Sequence, residues 1–472
     1  MRHILLLLLL IFLCIFRIEA QRNIENQAKL LLEKNKFKEA ISFYDQLIQK
    51  EAQAEWYFQR AICNFEINNL ADAKKDLFTA QNMKLDEPKI WLYSARIAHA
   101  EENFKRAADY YKTYLKYISN NHKDRDMIRD MIKRCGSGLT LKYAAQYAFV
   151  ENLGEKVNSR FDDFGAIESP NTLGKFYFNS NRAGSTGGMR DANGIKDDIY
   201  GSYYVDMYSI ESNGGNWSEV QTLSQLLNGP QHDVIMDFSS DGSYMLYFKT
   251  RDLSRGTILL DSFYIESESQ LLADSYFSPM VGELGDVYSY IFNDTTMVYA
   301  SKREGGFGGY DLYITQKRND QWIEPINLGP EVNSPYDEIC PSLSHDGTIL
   351  YFSSNNLNSI GGFDVFSSKF DYSSKSWRSA ENLGLPVNSS ENDLYFRLSA
   401  DGRTALFSSD RKSSYGGLDL YLAYLKEQET SQLTFSPVLP FLFFNQAEVN
   451  ELESDLLVIE NNETNSQVEF VR

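Results

Sequence analysis

Residues 349–366 read ILYFSSNNLNSIGGFDVF, and close variants recur as ALFSSDRKSSYGGLDLY at 405–421 and MVYASKREGGFGGYDLY at 297–313. Each is an alternating run of aromatic and aliphatic residues, a turn rich in Gly, Ser and Asn, and a second alternating run. That pattern predicts two antiparallel strands joined by a turn. Weaker copies lie at 175–200 (KFYFNSNRAGSTGGMRDANGIKDDIY) and 245–264 (MLYFKTRDLSRGTILLDSFY), so the period is near 53 residues. Before each copy stands a turn residue, Asn171, Asp241, Asn293, Asp346 or Asp401, mostly followed closely by Gly. Turns of this chemistry reverse the chain between antiparallel strands.

Between copies runs a linking phrase, WIEPINLGPEVNS (322–334) and WRSAENLGLPVNS (377–389), with a degenerate form WSEVQTLSQLLNG at 217–229. A unit is therefore three strands and then a fourth beginning at Trp, which is the signature of a propeller blade. Five units are present. The fifth ends at YLAYL (421–425) with no Trp phrase behind it, whereas ENLGEKVNS (151–159) precedes the first copy. The segment around Tyr147–Leu153 is thus expected to add the outermost strand to the last blade and remove the free edge.

Upstream, residues 21–135 carry helical periodicity, and three lines superpose: KFKEAISFYDQL, NLADAKKDLFTA and NFKRAADYYKTY. Their alanines, Ala40, Ala73 and Ala107, are 33 and 34 residues apart, and Ala28, Ala61 and Ala95 precede each by twelve. Small residues at two fixed positions let paired helices approach closely. Residues 122–135 are expected to cap the array, and Gly136-Ser137-Gly138 to end it. The fold class is a multidomain α plus all-β chain, a helical solenoid followed by a five-bladed propeller. The expected boundaries are 1–20 signal peptide, 21–135 helical repeats, 136–143 linker, 144–430 propeller and 431–472 tail.

Residues 1–20 have a basic start, an apolar run from Ile4 to Phe16 and Ala20 before Gln21, the layout of a cleavable secretory signal. Leu13 before Cys14 does not suit lipid attachment, and no later segment supplies an integral membrane span. Net charge is −19, which argues against nucleic acid and anionic lipid as partners. Cys63, Cys135 and Cys340 are far apart, without metal-site or disulfide spacing, and are expected as buried thiols, with a Cys63–Cys135 bridge the less favoured alternative. No catalytic motif, cofactor site or metal site stands out, so no enzyme activity and no cofactor are expected; a propeller glycosidase with two channel carboxylates is the weakest alternative.

Arg303 precedes Asp311 by eight residues, Arg411 precedes Asp419 by eight, and Asn356 precedes Asp364 by eight, flanking the same turn in each blade. These are expected as structural pairs within blades, with Arg182 facing Asp197 or Asp198 across the 183–196 insertion. The glycine pairs 308–309, 361–362 and 416–417 are expected to supply positive φ. A partner groove is expected on the helical domain at Phe58, Ile62, Phe65, Leu92, Arg96 and His99. The alternative is that these side chains are covered from within.

The helical lines resemble the tetratricopeptide repeat, and NLGPEVNS, LYFSSN and GGFDVF resemble the TolB-type, WD40-like propeller repeat. Their order resembles the PorE-type envelope proteins of type IX secretion and gliding, over about residues 21–430. The resemblance implies a non-enzymatic scaffold, periplasmic and outer-membrane-associated, whose partners are other envelope proteins met through the helical groove and the propeller faces. Relatives of that type usually continue into an OmpA-type domain, for which the forty or so residues after the propeller are too few, so direct peptidoglycan binding is not expected. The alternative is a free periplasmic peptide- or glycan-binding module.

Overall fold

The computed structural model describes residues 19–144, 148–213, 216–252, 255–262, 270–272, 278–399 and 401–426. The signal-peptide assignment (apart from its expected cleavage point) and the 431–472 tail lie outside them; Ala20 and Gln21 fall in a first helix, α1, over 19–33. The chain divides into two compact units, Met1–Leu139 with Met189–Ser202 and Lys412–Gly416, and Thr140–Gly188 with Tyr203–Arg411 and Gly417–Arg472.

In the first unit α1 is followed by α2 (Phe37–Lys50), α3 (Ala54–Glu66), α4 (Leu70–Asn82), α5 (Lys89–Ala100), α6 (Phe104–Tyr117) and α7 (Arg125–Leu141). The six repeat alanines are all at most 1% exposed, as close helix packing requires. The turns inside the helix pairs place Asn35, Asn68 and Glu102 at positive φ (56°, 65° and 53°), 33 and 34 residues apart. Asn69 and Asn103 then cap α4 and α6 by accepting from the backbone N–H of Asp72 and Arg106. Gly136-Ser137-Gly138 does not end the array, because α7 runs through it. The glycine at 138 is needed for packing: a Cβ there would stand 2.8 Å from the Phe104 ring.

The second unit carries five antiparallel sheets among its described residues. The innermost strands are Asp163–Glu168, His232–Phe238, Val287–Asn293, Glu338–Leu343 and Asp393–Leu398. Successive innermost strands touch one another, and the first touches the last, closing the ring. Ala148–Asn152 pairs antiparallel with Asp419–Leu425, in register Ala148↔Leu425 to Asn152↔Tyr421, so blade five takes its outer strand from the start of the domain. Apolar clusters fill the spaces between blades, for example Val157, Ala166, Phe178, Tyr208 and Ile210 of blade one against Leu406 and Leu420 of blade five. Trp377 is buried in that role between other blades, on Phe370.

The Asp-Gly turns behave as expected, with Gly242, Gly347 and Gly402 at φ 68°, 69° and 64°. The glycine pairs do not, since none of 308–309, 361–362 or 416–417 is in the left-handed region. They are small because the next blade presses on them. A Cβ on Gly308 would overlap the carbonyls of Tyr336 and Ser334, one on Gly361 that of Glu391, and one on Gly417 the Asp162 carboxylate.

Candidate functional site

The residues that recur with the repeat hold the blades together, although by different pairings from those expected. Arg303 Nη2 lies 2.8 Å from Asp286 and Arg411 Nη2 lies 2.7 Å from Asp393. Arg182 pairs with Asp163, not with Asp197 or Asp198. Each acid stands at, or just before, the start of the innermost strand of the same blade. Lys249 serves Asp233 in blade two at 3.2 Å. Blade four has Asn356 where the Arg would be, and its acid is the longer Glu338, which accepts from Ser334 and Ser354 hydroxyls (2.6 and 2.7 Å) and from the Ser334 N–H.

Asp311, Asp364 and Asp419 have a separate task. Asp311 accepts from the N–H groups of Phe307 and Gly308 and from Asn327 Nδ2; Asp364 accepts from Ile360, Gly361 and Asn382. Asn152 gives the same bond to Asp419 at 2.8 Å. The second asparagine of the linking phrase, Asn158, Asn333 or Asn388, bonds both the N–H and the C=O of Leu420, Leu312 or Val365. Spacing in sequence could not choose between two acids near one Arg, because the deciding contact joins strands about eighteen residues apart.

Arg411→Ala should therefore lower propeller stability by about 3 kcal/mol, since it leaves a buried Asp393 half-partnered. In a double-mutant cycle on chemical denaturation, Arg411 should couple to Asp393 and not to Asp419. Coupling to Asp419 instead would restore the original pairing.

Without a cation beside it, Glu338 is pushed by burial up to about 7, and burial with the nearby Asp393 charge does the same to Asp364. A carboxyl raised in the folded state binds its proton there at a pH where the unfolded chain has released it. Stability consequently rises as pH falls from 8 towards 5.5. Melting should be higher at pH 6 than at pH 8, and Glu338→Gln should remove part of that slope, on the order of 1–3 kcal/mol. A flat profile between those values would show that neither group titrates in this range.

The helical-face residues also sit differently from the expectation. Phe58 and Phe65 are buried in the cluster of Ala61, Ala73, Leu77, Ala80, Ile90 and Ile97, with Tyr93 edge-on to both rings. His99 is buried against Phe104 and Tyr111, its Nδ1 3.6 Å from Cys135 Sγ. Ile62, Leu92 and Arg96 are half-buried. Arg96 bonds Glu66 and stacks 4.4 Å from the Phe65 centroid, and Lys412 of the same unit lies 4.3 Å from that centroid. Phe58, Phe65 and His99 thus belong to the core and do not line an open groove. Cys63, Cys135 and Cys340 are free and buried, and burial pushes the Cys63 and Cys135 thiols up to about 12.

What remains for function lies where the repeat is broken. Two residues after the acids Asp163, Asp233, Asp286, Glu338 and Asp393 come Gly165, Ile235, Tyr288, Cys340 and Tyr395; Gly165, Tyr288, Cys340 and Tyr395 have φ between 52° and 66°. Each of those four strands has a register shift there, the mark of a bulge that re-aims side chains. With Phe164 they line an apolar cavity of about 100 Å³.

Four residues after the same acids come Ile167, Asp237, Tyr290, Ser342 and Arg397. Arg397 Nη1 lies 2.8 Å from Asp237 Oδ1, its Nη2 donates to Ser289 O, and its guanidinium stacks 5.0 Å from the Tyr290 centroid. Asp237 Oδ2 also accepts from the Ile291 N–H. The pair joins blades five, two and three, while blade one offers only Ile167 at this level. A cleft of about 610 Å³ opens there, walled by blade one (Glu168, Phe176, Trp217) and blade five (Leu406, Leu422, Tyr424), with Asp237 to Ser240 of blade two, Tyr290 and Ile291 of blade three and Arg397 also lining it. Burial and the Asp401 charge raise the Glu168 carboxyl. The sequence signal for this site was a complementary pair, Asp237 and Arg397, standing in two copies where the others have Ile, Tyr and Ser.

No family model matches the chain, and no curated protein matches it. Among solved structures it is similar to TolB from Acinetobacter baumannii, at 12% identity over 66% of this chain and 72% of that one, TM-score 0.32. It is also similar to a thermostable family-43 glycoside hydrolase (12%, 61% and 98%, TM-score 0.37) and to an α-L-arabinofuranosidase from Lactobacillus brevis (10%, 61% and 96%, TM-score 0.36). At TM-scores this low the likenesses carry no argument about function, and the propeller rests on its own strand order.

Proposed function

We propose that the chain is a non-enzymatic protein-interaction scaffold of the bacterial envelope, exported to the periplasm and held in an outer-membrane-associated complex of the type IX secretion kind. The observation that carries the binding reading is how the charged residues are used. The repeat's arginines and acids are spent on blade structure, and in the channel Asp237 is bound by Arg397 and by a backbone N–H. A carboxylate so engaged is poorly placed for the paired acid and base work of a glycosidase. The compartment and the complex rest on the secretory layout of residues 1–20 and on the resemblance of the repeats. Formaldehyde crosslinking in intact cells, followed by pull-down of the tagged chain, should retain discrete envelope proteins. Absence of any crosslinked partner, together with glycan hydrolysis by the purified chain, would overturn the reading.

A further inference from the structure

We infer that the cleft between blades five and one binds an extended peptide that carries a lysine or arginine among apolar residues. This deepens the scaffold reading and rests on it. The cleft crosses the strands of both blades from the channel outward. Four strands spaced about 4.8 Å apart span about 14 Å, the length of four or five extended residues. Its volume is that of a ligand site.

Its walls mix polar groups with apolar and aromatic ones: Phe176 and Trp217 pack edge-on at 5.5 Å on one side. Leu406 and Leu422 face them on the other. At the outer mouth Phe149 and Tyr424 form an exposed ring pair, 64% and 41% exposed. Phe149 and Glu151 share one face of the closing strand, and Glu151 and Tyr424 line the cleft itself.

The charge is one-sided. Arg397 is committed to Asp237, which leaves Glu168 and Glu151 as the charges facing the space. Glu151 accepts from Tyr424 OH. The half-buried Glu168 carboxylate has no hydrogen-bond or ion-pair partner among the described residues, and neither has the Trp217 indole N–H. A basic side chain would partner Glu168, a peptide carbonyl would take the indole proton, and apolar neighbours would fill the walls. Glycans share the liking for aromatic walls, but an unpaired carboxylate at half-burial favours a cation.

The test uses the purified chain on an immobilised library of amidated pentapeptides drawn from Lys, Glu, Phe, Leu and Ser. Retained peptides should be rich in Lys beside Phe or Leu. Glu168→Gln should weaken retention about tenfold, and Glu151→Gln, at the exposed mouth where folding is not at stake, by less. Glu304→Gln, an equal charge change outside the cleft, should leave retention unchanged. Equal retention of Lys and Glu peptides, or equal weakening by all three substitutions, overturns the assignment. So does retention that appears only after removal of residues 427–472, which would make the tail the occupant. A chain that keeps its crosslinked partners yet shows no Lys preference sinks the cleft and leaves the scaffold standing. A chain with neither sinks both.

Discussion

Replacing Ala148–Asn152 by a Gly/Ser stretch of equal length is expected to abolish the cooperative melt of the propeller and send the protein into aggregates. The strand gives blade five its outer ladder, five residue pairs long. It also buries Ala148 beside Phe396, Phe407 and Tyr421 and packs Val150 against the same cluster. Asn152 is the donor to the buried Asp419, and it braces Asn158. Its loss leaves a carboxylate half-satisfied and an apolar edge exposed, which together cost more than about 4 kcal/mol. An uncovered strand edge then templates association. Circular dichroism melting and size-exclusion chromatography check this. A variant that stays monomeric with one unchanged transition would show that the ring closes without the strand.

The double change Phe58→Ser and Phe65→Ser should cost at least about 5 kcal/mol and unfold the helical unit. Both rings are at most 2% exposed, and truncating one buried Phe costs about 3–5 kcal/mol before any hydroxyl is left without a partner. Cys63 lies in the same helix, so its reactivity offers a direct measure: a thiol reagent that ignores the parent should label the variant. A variant that melts within about 1 kcal/mol of the parent would mean that the face is open after all. The outcome bears on function, because a covered Phe58–Phe65 row moves the search for partners from the helical face to the propeller.

Periodicity alone determined a good deal of this protein. Strand alternation, turn residues and one displaced NLGxxVNS phrase were enough for five blades and for the strand that closes them, because these are local preferences repeated at a constant interval. The alanines at 33 and 34 residues were enough for the helix pairs, because close approach excludes anything larger at those positions. Side-chain partners were decided only by tertiary structure. Arg411 stands eight residues from Asp419 in the chain and bonds Asp393, since antiparallel pairing sets Asp393 opposite Ser409, two residues from the Arg. Gly308 looked like a turn glycine and is small because blade four presses on it. Phe58 and Phe65 fall on one helical face in sequence, but which face is covered depends on neighbours that periodicity does not name. The cleft is of the same kind. Asp237 and Arg397 are 160 residues apart, and only ring closure brings them together beside blade one.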